Sequence, residues 1–100
     1  MTTNLPNGLP EPIKPAPELY GELLLEASRP QDARVQFDAA LTRMPNRTPS
    51  LLGSARASVR AGDVMNATRR YTEVERGLAA ANVRHADLNE AREYLKRGGK

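Results

Sequence analysis

The chain has 100 residues and a formal net charge of +3, with 39% apolar residues, 4% aromatic residues and no cysteine. This length suits one domain with a small core, and the missing cysteines exclude disulfides and thiolate metal sites. No apolar run approaches the roughly 18 residues of a membrane span. The sequence therefore predicts a soluble protein, either cytoplasmic or exported, with no membrane partner.

The N-terminus differs in composition from the rest of the chain. Residues 1–16 are rich in proline, which removes backbone donors and opposes helix formation. We predict a disordered leader there, a helical domain over residues 17–97, and a flexible tail over residues 98–100.

Apolar residues recur at intervals of three and four after the leader, the spacing typical of amphipathic helices. The pattern predicts five helices, over residues 17–28, 30–44, 49–61, 64–81 and 88–97. No segment alternates with period two for long enough to indicate a strand, so the predicted fold class is all-α.

Capping residues support these boundaries. Proline suits the first helical turn, where its missing N–H is not needed, and Pro17, Pro30 and Pro49 occupy such places. The expected N-caps are Thr48, Asp63 and Asp87, the last with Glu90 in a capping-box pattern. The expected stops are Pro45 with Asn46, Gly62, Asn82 and Gly98.

An internal repeat is the sharpest feature of the sequence. One constant offset places Ala33 on Ala67 and Phe37 on Tyr71. The offset equals the helix–turn–helix period of tetratricopeptide repeats, about 34 residues, and residues 15–81 resemble that family. The matching positions are Gly21, Ala33, Phe37, Ala40 and Pro45 in the first unit, and Ala55, Gly62, Asp63, Ala67 and Tyr71 in the second. The sequence departs from the family pattern at three places. Pro17 and Leu51 stand where the family has an aromatic residue near the start of the first helix, and Val74 stands where it has a small residue.

The resemblance implies a stack of antiparallel helix pairs, an α-solenoid, in which small residues allow close approach and aromatic residues fill the gaps. The fifth helix would then be a solvating cap. The chain would form the C-terminal end of a longer repeat protein, or its first helix pair would pack on a second copy.

In this family the first helix of each repeat lines a concave groove that binds peptides. Carried over by position, the groove would be lined by Glu18, Glu22, Leu25 and Glu26 from the first unit, and by Leu52, Gly53, Arg56, Val59 and Arg60 from the second. Two interpretations of Arg56 and Arg60 stay open. They could capture a peptide carboxylate, or they could pair with Glu22 and Glu26, each of which precedes its arginine by one repeat period.

Other candidate sites are weaker. His85 is the single histidine and has no metal-ligating neighbour in sequence, so a turn residue is expected. The serines at 50, 54 and 58 share a helix face but lack a base, which indicates polar surface or close packing rather than a nucleophile. A basic outer surface could form from Arg69, Arg70, Arg76, Arg84, Arg92 and Arg97. Solvated helix faces explain those arginines better than nucleic-acid binding does.

Together these features predict a non-enzymatic module, without cofactor or metal, that binds a partner protein or peptide through the groove of the first and third helices. One alternative is a structural terminus or homodimerisation unit without a ligand. Another is weak nucleic-acid binding through the basic second half.

Overall fold

A computed structural model describes residues 14–80 and 86–98, and within them it shows five helices and no strand. The helices are α1 (Ala16–Glu26), α2 (Pro30–Arg43), α3 (Thr48–Ala61), α4 (Val64–Ala80) and α5 (Ala86–Lys96). The predicted all-α class is confirmed. None of these helices is long and apolar enough to cross a membrane. The leader up to residue 13, Asn82, Arg84, His85 and the last two residues lie outside the described residues.

The helix boundaries follow the capping residues in most places. Each of the first three helices has a proline in its first two positions. Gly62 ends α3 in the left-handed conformation, with φ at +81°, which glycine adopts without steric cost. Asp63 then caps α4, because its Oδ1 accepts the backbone N–H of Asn66 at 3.1 Å.

Two of the predicted caps are wrong. Thr48 is the first residue of α3 and not its cap; Arg47 precedes the helix and makes no side-chain capping bond. The last helix begins at Ala86, which places Asp87 inside its first turn. Within the described part of the chain, the carboxylate of Glu90 binds side chains of α3 and α4 and not the start of its own helix.

Each helix packs on the next, and α1 also contacts α3. The ring of Phe37 joins the first three helices. A methyl group placed on Gly53 of α3 would lie 2.2 Å from Cε1 of that ring, and one on Gly21 of α1 would lie 2.9 Å from Cε2. The two glycines therefore contact opposite edges of one buried ring. Leu24, Ala33 and Ala57 complete its cluster.

A second cluster joins α3, α4 and α5, and Leu41 from the end of α2 belongs to it. Its members are Leu41, Leu51, Leu52, Ala55, Ala67, Tyr71, Val74, Ala91 and Tyr94, all buried. The rings of Tyr71 and Tyr94 lie 4.8 Å apart between centroids, a contact distance favourable for aromatic pairs. The last helix is thus held by an aromatic pair as well as by alanine.

The helical spacing predicts an apolar stripe of Leu19 or Tyr20, Leu23, Leu24 and Ala27 on the first helix and includes Met44 in the stripe of the second, but part of this predicted core is exposed. Met44 is 42% exposed, and on α1 the side chains of Leu19, Tyr20 and Leu23 are each about half exposed. Of the predicted α1 stripe, Leu24 is buried, together with Gly21. The reason is geometric: α1 packs on α2 and α3 along one side only, and its remaining side carries further apolar residues.

Candidate functional site

The exposed side of α3 is narrow and carries two cations and one apolar side chain. Most of α3 is buried between α2 and α4, whereas Arg56, Val59 and Arg60 are exposed. These three positions lie within one helical turn and share a face. Val59 is 45% exposed between the two arginines. We call this surface, with Leu25 and Glu26 of α1 beside it, the α3 face.

Arg56 is bound to α5. Its Nε donates to Glu90 Oε2 at 2.9 Å and its Nη2 to Glu90 Oε1 at 2.6 Å, a bidentate pair. Asp87 lies 3.7 Å from the same guanidinium. The hydroxyl of Tyr71 also donates to Glu90, at 2.6 Å. The Arg56 side chain therefore links α3 to the last helix and already has a carboxylate partner.

Electrostatics reinforce this pair. The hydrogen bonds from Arg56 lower the pKa of Glu90, and the Tyr71 hydroxyl adds to that effect against the opposing effect of burial. Burial, followed by the hydrogen bond to Glu90, raises the pKa of Tyr71. Glu90 is thus ionised and Tyr71 is neutral at physiological pH.

The expected pairing of Arg56 with Glu22 is wrong. Glu22 instead accepts a hydrogen bond from Lys14 Nζ at 2.8 Å. Glu90 lies one repeat period after Arg56, just as Glu22 lies one period before it. Arg56 therefore does pair with a glutamate one repeat period away, but with the following helix and not with the preceding one that the repeat spacing had suggested.

Arg60 has a different environment. Its Nη1 donates to the backbone oxygen of Leu25 at 3.2 Å, near the C-terminal end of α1, where a cation is favourable. Glu26 was the expected partner, but no ion pair joins them within the described residues. That backbone contact is the one hydrogen bond of Arg60 in the described part of the chain, so most of its donors remain available.

Three residues predicted to line the groove are buried. Leu52 belongs to the core, and Gly53 is covered by the Phe37 ring. Glu18 is fully buried, with its carboxylate bound by Arg47 through Nε at 2.7 Å and Nη2 at 3.1 Å, and by the hydroxyl of Ser50. Leu52 and Gly53 are covered by neighbouring helices, and Glu18 is covered because the first turn of α1 packs on the start of α3. None of the three therefore offers surface to a ligand.

Glu18 is a buried anion that its neighbours stabilise. Burial disfavours its ionisation, but hydrogen bonds from Arg47 and Ser50 and the charge of Arg47 outweigh burial, so its pKa is lowered. In the sequence, Ser50 could have indicated this buried contact, because a serine on the packed face of α3 needs a hydrogen-bond partner.

A buried polar network joins α2, α3 and α4, and sequence reasoning missed it. Asp38 accepts hydrogen bonds from Ser54, Arg34 and Arg70 at 2.7, 2.9 and 3.1 Å. Asn66 donates through Nδ2 to Ser54 and to Ser58, the latter at 2.7 Å. The serine hydroxyls are therefore committed to structural hydrogen bonds, which leaves the close-packing interpretation rather than the surface one.

Three of the arginines predicted for the basic outer surface have partners among the described residues. Arg69 contacts Asn66, Arg70 contacts Asp38 and Glu73, and Arg92 lies 3.5 Å from Glu75. Among the residues that the structure describes, no cluster of histidine, cysteine and carboxylate side chains could hold a metal ion.

Comparison of the chain with protein-family models, with curated proteins and with solved structures finds no match in any of the three. The residues and contacts above are therefore the basis for assigning a function.

Proposed function

We propose that the chain is a tetratricopeptide-type module that binds another protein through the α3 face. The repeat assignment is supported by the shared environment of residues one period apart. Ala33 and Ala67 are completely buried, and Phe37 and Tyr71, likewise one period apart, are each buried where three successive helices meet. This is the interlocking that helix-pair repeats require.

The observation that supports binding most directly is the exposure of Val59 between Arg56 and Arg60. The leucines of this helix, Ala55 and Ala57 are buried, whereas Val59 is exposed and lies beside an arginine with available donors. Arginine and an apolar side chain together suit a peptide that carries an acidic residue next to an apolar one.

The two arginines have unequal roles in this proposal. A ligand carboxylate at Arg56 would have to displace Glu90, which is bound bidentately and supported by Tyr71. At Arg60 a carboxylate would displace nothing more than a backbone contact. Arg60 is therefore the anion-binding residue, while Arg56 holds α5 in place beside it. Glu26, exposed on α1, favours a basic residue elsewhere in the same peptide.

A peptide-array screen with labelled protein tests the proposal. Peptides that contain adjacent acidic and apolar residues should bind the wild-type chain, and Arg60→Glu should abolish that binding. Val59→Asp should weaken it, since the apolar contact is lost and a like charge meets the peptide. Arg43→Glu is the matched control, because Arg43 is exposed at the end of α2 and changes the net charge equally.

The charge-reversal variants distinguish binding at the α3 face from binding driven by net charge. Selective loss of binding in Arg60→Glu, with circular dichroism unchanged and Arg43→Glu unaffected, supports the α3 face. Equal loss in both charge-reversal variants would mean that net charge and not this site drives binding. Absence of peptide binding by the folded wild-type protein would overturn the proposal.

A further inference from the structure

Apolar residues cover two opposite sides of α1. One side, with Gly21 and Leu24, is buried in the core. The other carries Leu19, Tyr20 and Leu23, which are 49%, 52% and 54% exposed. A helix that is apolar on more than one side normally has a second packing partner. We call this exposed side of α1 the outer strip.

The same positions one repeat later show what such a strip does. The three residues of the outer strip lie one repeat period before Gly53, Ser54 and Ala57 of α3. On α3 these positions are buried against α2: Gly53 and Ala57 contact the Phe37 cluster, and Ser54 binds Asp38. The outer strip therefore lies where a further helix would pack.

That further helix cannot pack as α2 does. Phe37 approaches α3 closely because its partners there are glycine and alanine. Leu19, Tyr20 and Leu23 fill the corresponding space, so they suit a partner whose own large apolar residues interdigitate with them at a wider helix separation. A second copy of the same strip offers such residues.

The opposite end of the stack is unsuitable for this role. Apart from Ala86, the exposed residues of α5 are polar: Asn89, Arg92, Glu93 and Lys96. Docking the outer strip there would bury charges without partners, which is costly. Head-to-tail association is therefore disfavoured, and a two-fold contact of like with like remains.

Charge and apolar surface both fit a two-fold contact. The rim of the strip carries both signs, because Arg29 and Asp32 pair with each other at 2.6 Å and stay more than half exposed. Two such rims can exchange partners without repulsion. With Val35, which lies beside Tyr20 and is 50% exposed, the strip presents four large apolar side chains, each about half exposed. Four such side chains from each copy would form an apolar centre for the contact, surrounded by a polar rim.

We propose that the outer strip of α1 packs against the same strip of a second copy and forms a two-fold symmetric dimer. The contact leaves Arg56, Val59 and Arg60 accessible, since these three residues lie on α3 and the outer strip lies on α1. The proposal does not depend on peptide binding, and the two can fail separately.

Sedimentation equilibrium over a range of about 1 to 500 µM measures the association. We expect a reversible monomer–dimer equilibrium for the wild-type chain, and a weakening of at least about tenfold, or complete loss, for Leu23→Glu and for Leu19→Glu. Met65→Glu is the control: Met65 is 84% exposed on α4, away from the strip, and this variant should associate like the wild type.

A second readout uses the absence of cysteine from the chain. Leu23→Cys should form a covalent dimer on mild oxidation far faster than Met65→Cys. A wild-type monomer at every concentration would overturn the proposal, whether another protein or residues 1–13 cover the strip. A dimer that survives both glutamate variants would overturn it as well, because the interface would then lie elsewhere.

Discussion

Replacing Gly53 by alanine adds one methyl group where Phe37 already fills the space. That methyl carbon would lie 2.2 Å from Cε1 and 2.4 Å from Cδ1 of the ring, well inside van der Waals contact. The ring cannot move away freely, because its other edge is held by Gly21 and it is 1% exposed. The clash must therefore separate α2 from α3.

The expected magnitude is the difference between two effects. Overpacking a filled core costs about 1–3 kcal/mol, and a contact this short belongs at the upper end. Alanine in place of glycine within a helix stabilises by about 1 kcal/mol. Gly53→Ala should therefore lower the free energy of unfolding by about 2 kcal/mol. Gly21→Ala, with a contact of 2.9 Å, should change it little because the two effects nearly cancel.

Gly77→Ala is the matched control, since Gly77 lies within α4 and a methyl group there meets nothing within 4 Å. It should stabilise by up to about 1 kcal/mol. Urea unfolding followed by circular dichroism measures all three variants. Stabilisation of Gly53→Ala to the same extent as Gly77→Ala would refute the reasoning, because the ring would then have room to spare.

The side-chain hydrogen bonds lead to three more expectations. Since the pKa of Glu18 is lowered in the folded state, its stabilising contribution is present above its ordinary pKa of 4.5 and is lost as pH falls further. Glu18→Gln should therefore lower the stability of the protein at pH 7, and the stability of this variant should depend less on pH under acidic conditions. Thermal unfolding across a range of pH measures both effects. Tyr71→Phe should cost about 1–2 kcal/mol in urea unfolding, because the hydroxyl donated to ionised Glu90 is lost; no change would contradict that bond. Asp63→Ala should lower the free energy of unfolding by about 1 kcal/mol, because it removes the cap of α4. Unchanged stability of this variant in urea unfolding would argue against capping.

The sequence was sufficient for the elements whose signals are local or periodic. Apolar spacing and the prolines at helix starts predicted all five helices to within a few residues. The internal repeat predicted the burial of Ala33, Phe37, Ala67 and Tyr71, because residues one period apart occupy like environments in stacked helix pairs.

The sequence was insufficient where the outcome depends on which neighbour is closer in space. Glu18 was expected in the groove because charged residues are rarely buried, yet Arg47 and Ser50 both reach it and make its burial possible. Arg56 had an acidic residue one period away on either side, and the bond formed with the later one. The sequence pattern gives the repeat period, but it does not tell whether a residue pairs with the preceding or with the following repeat.

The half-exposed strip on α1 shows the same limit. Leu19 and Leu23 carry an ordinary core pattern, but no described helix covers them. Apolar spacing predicts that a face will be buried, and it cannot specify whether the burying surface belongs to this chain or to another.

The interlocking of Phe37 with both glycines can be measured directly, because it is the single phenylalanine of the sequence. Selective labelling of that ring in solution, followed by a nuclear Overhauser experiment, reports which protons lie near it. We predict cross-peaks from the ring protons to the α-protons of both Gly21 and Gly53. Cross-peaks to neither glycine would contradict the stacked helix pairs on which the proposed function rests.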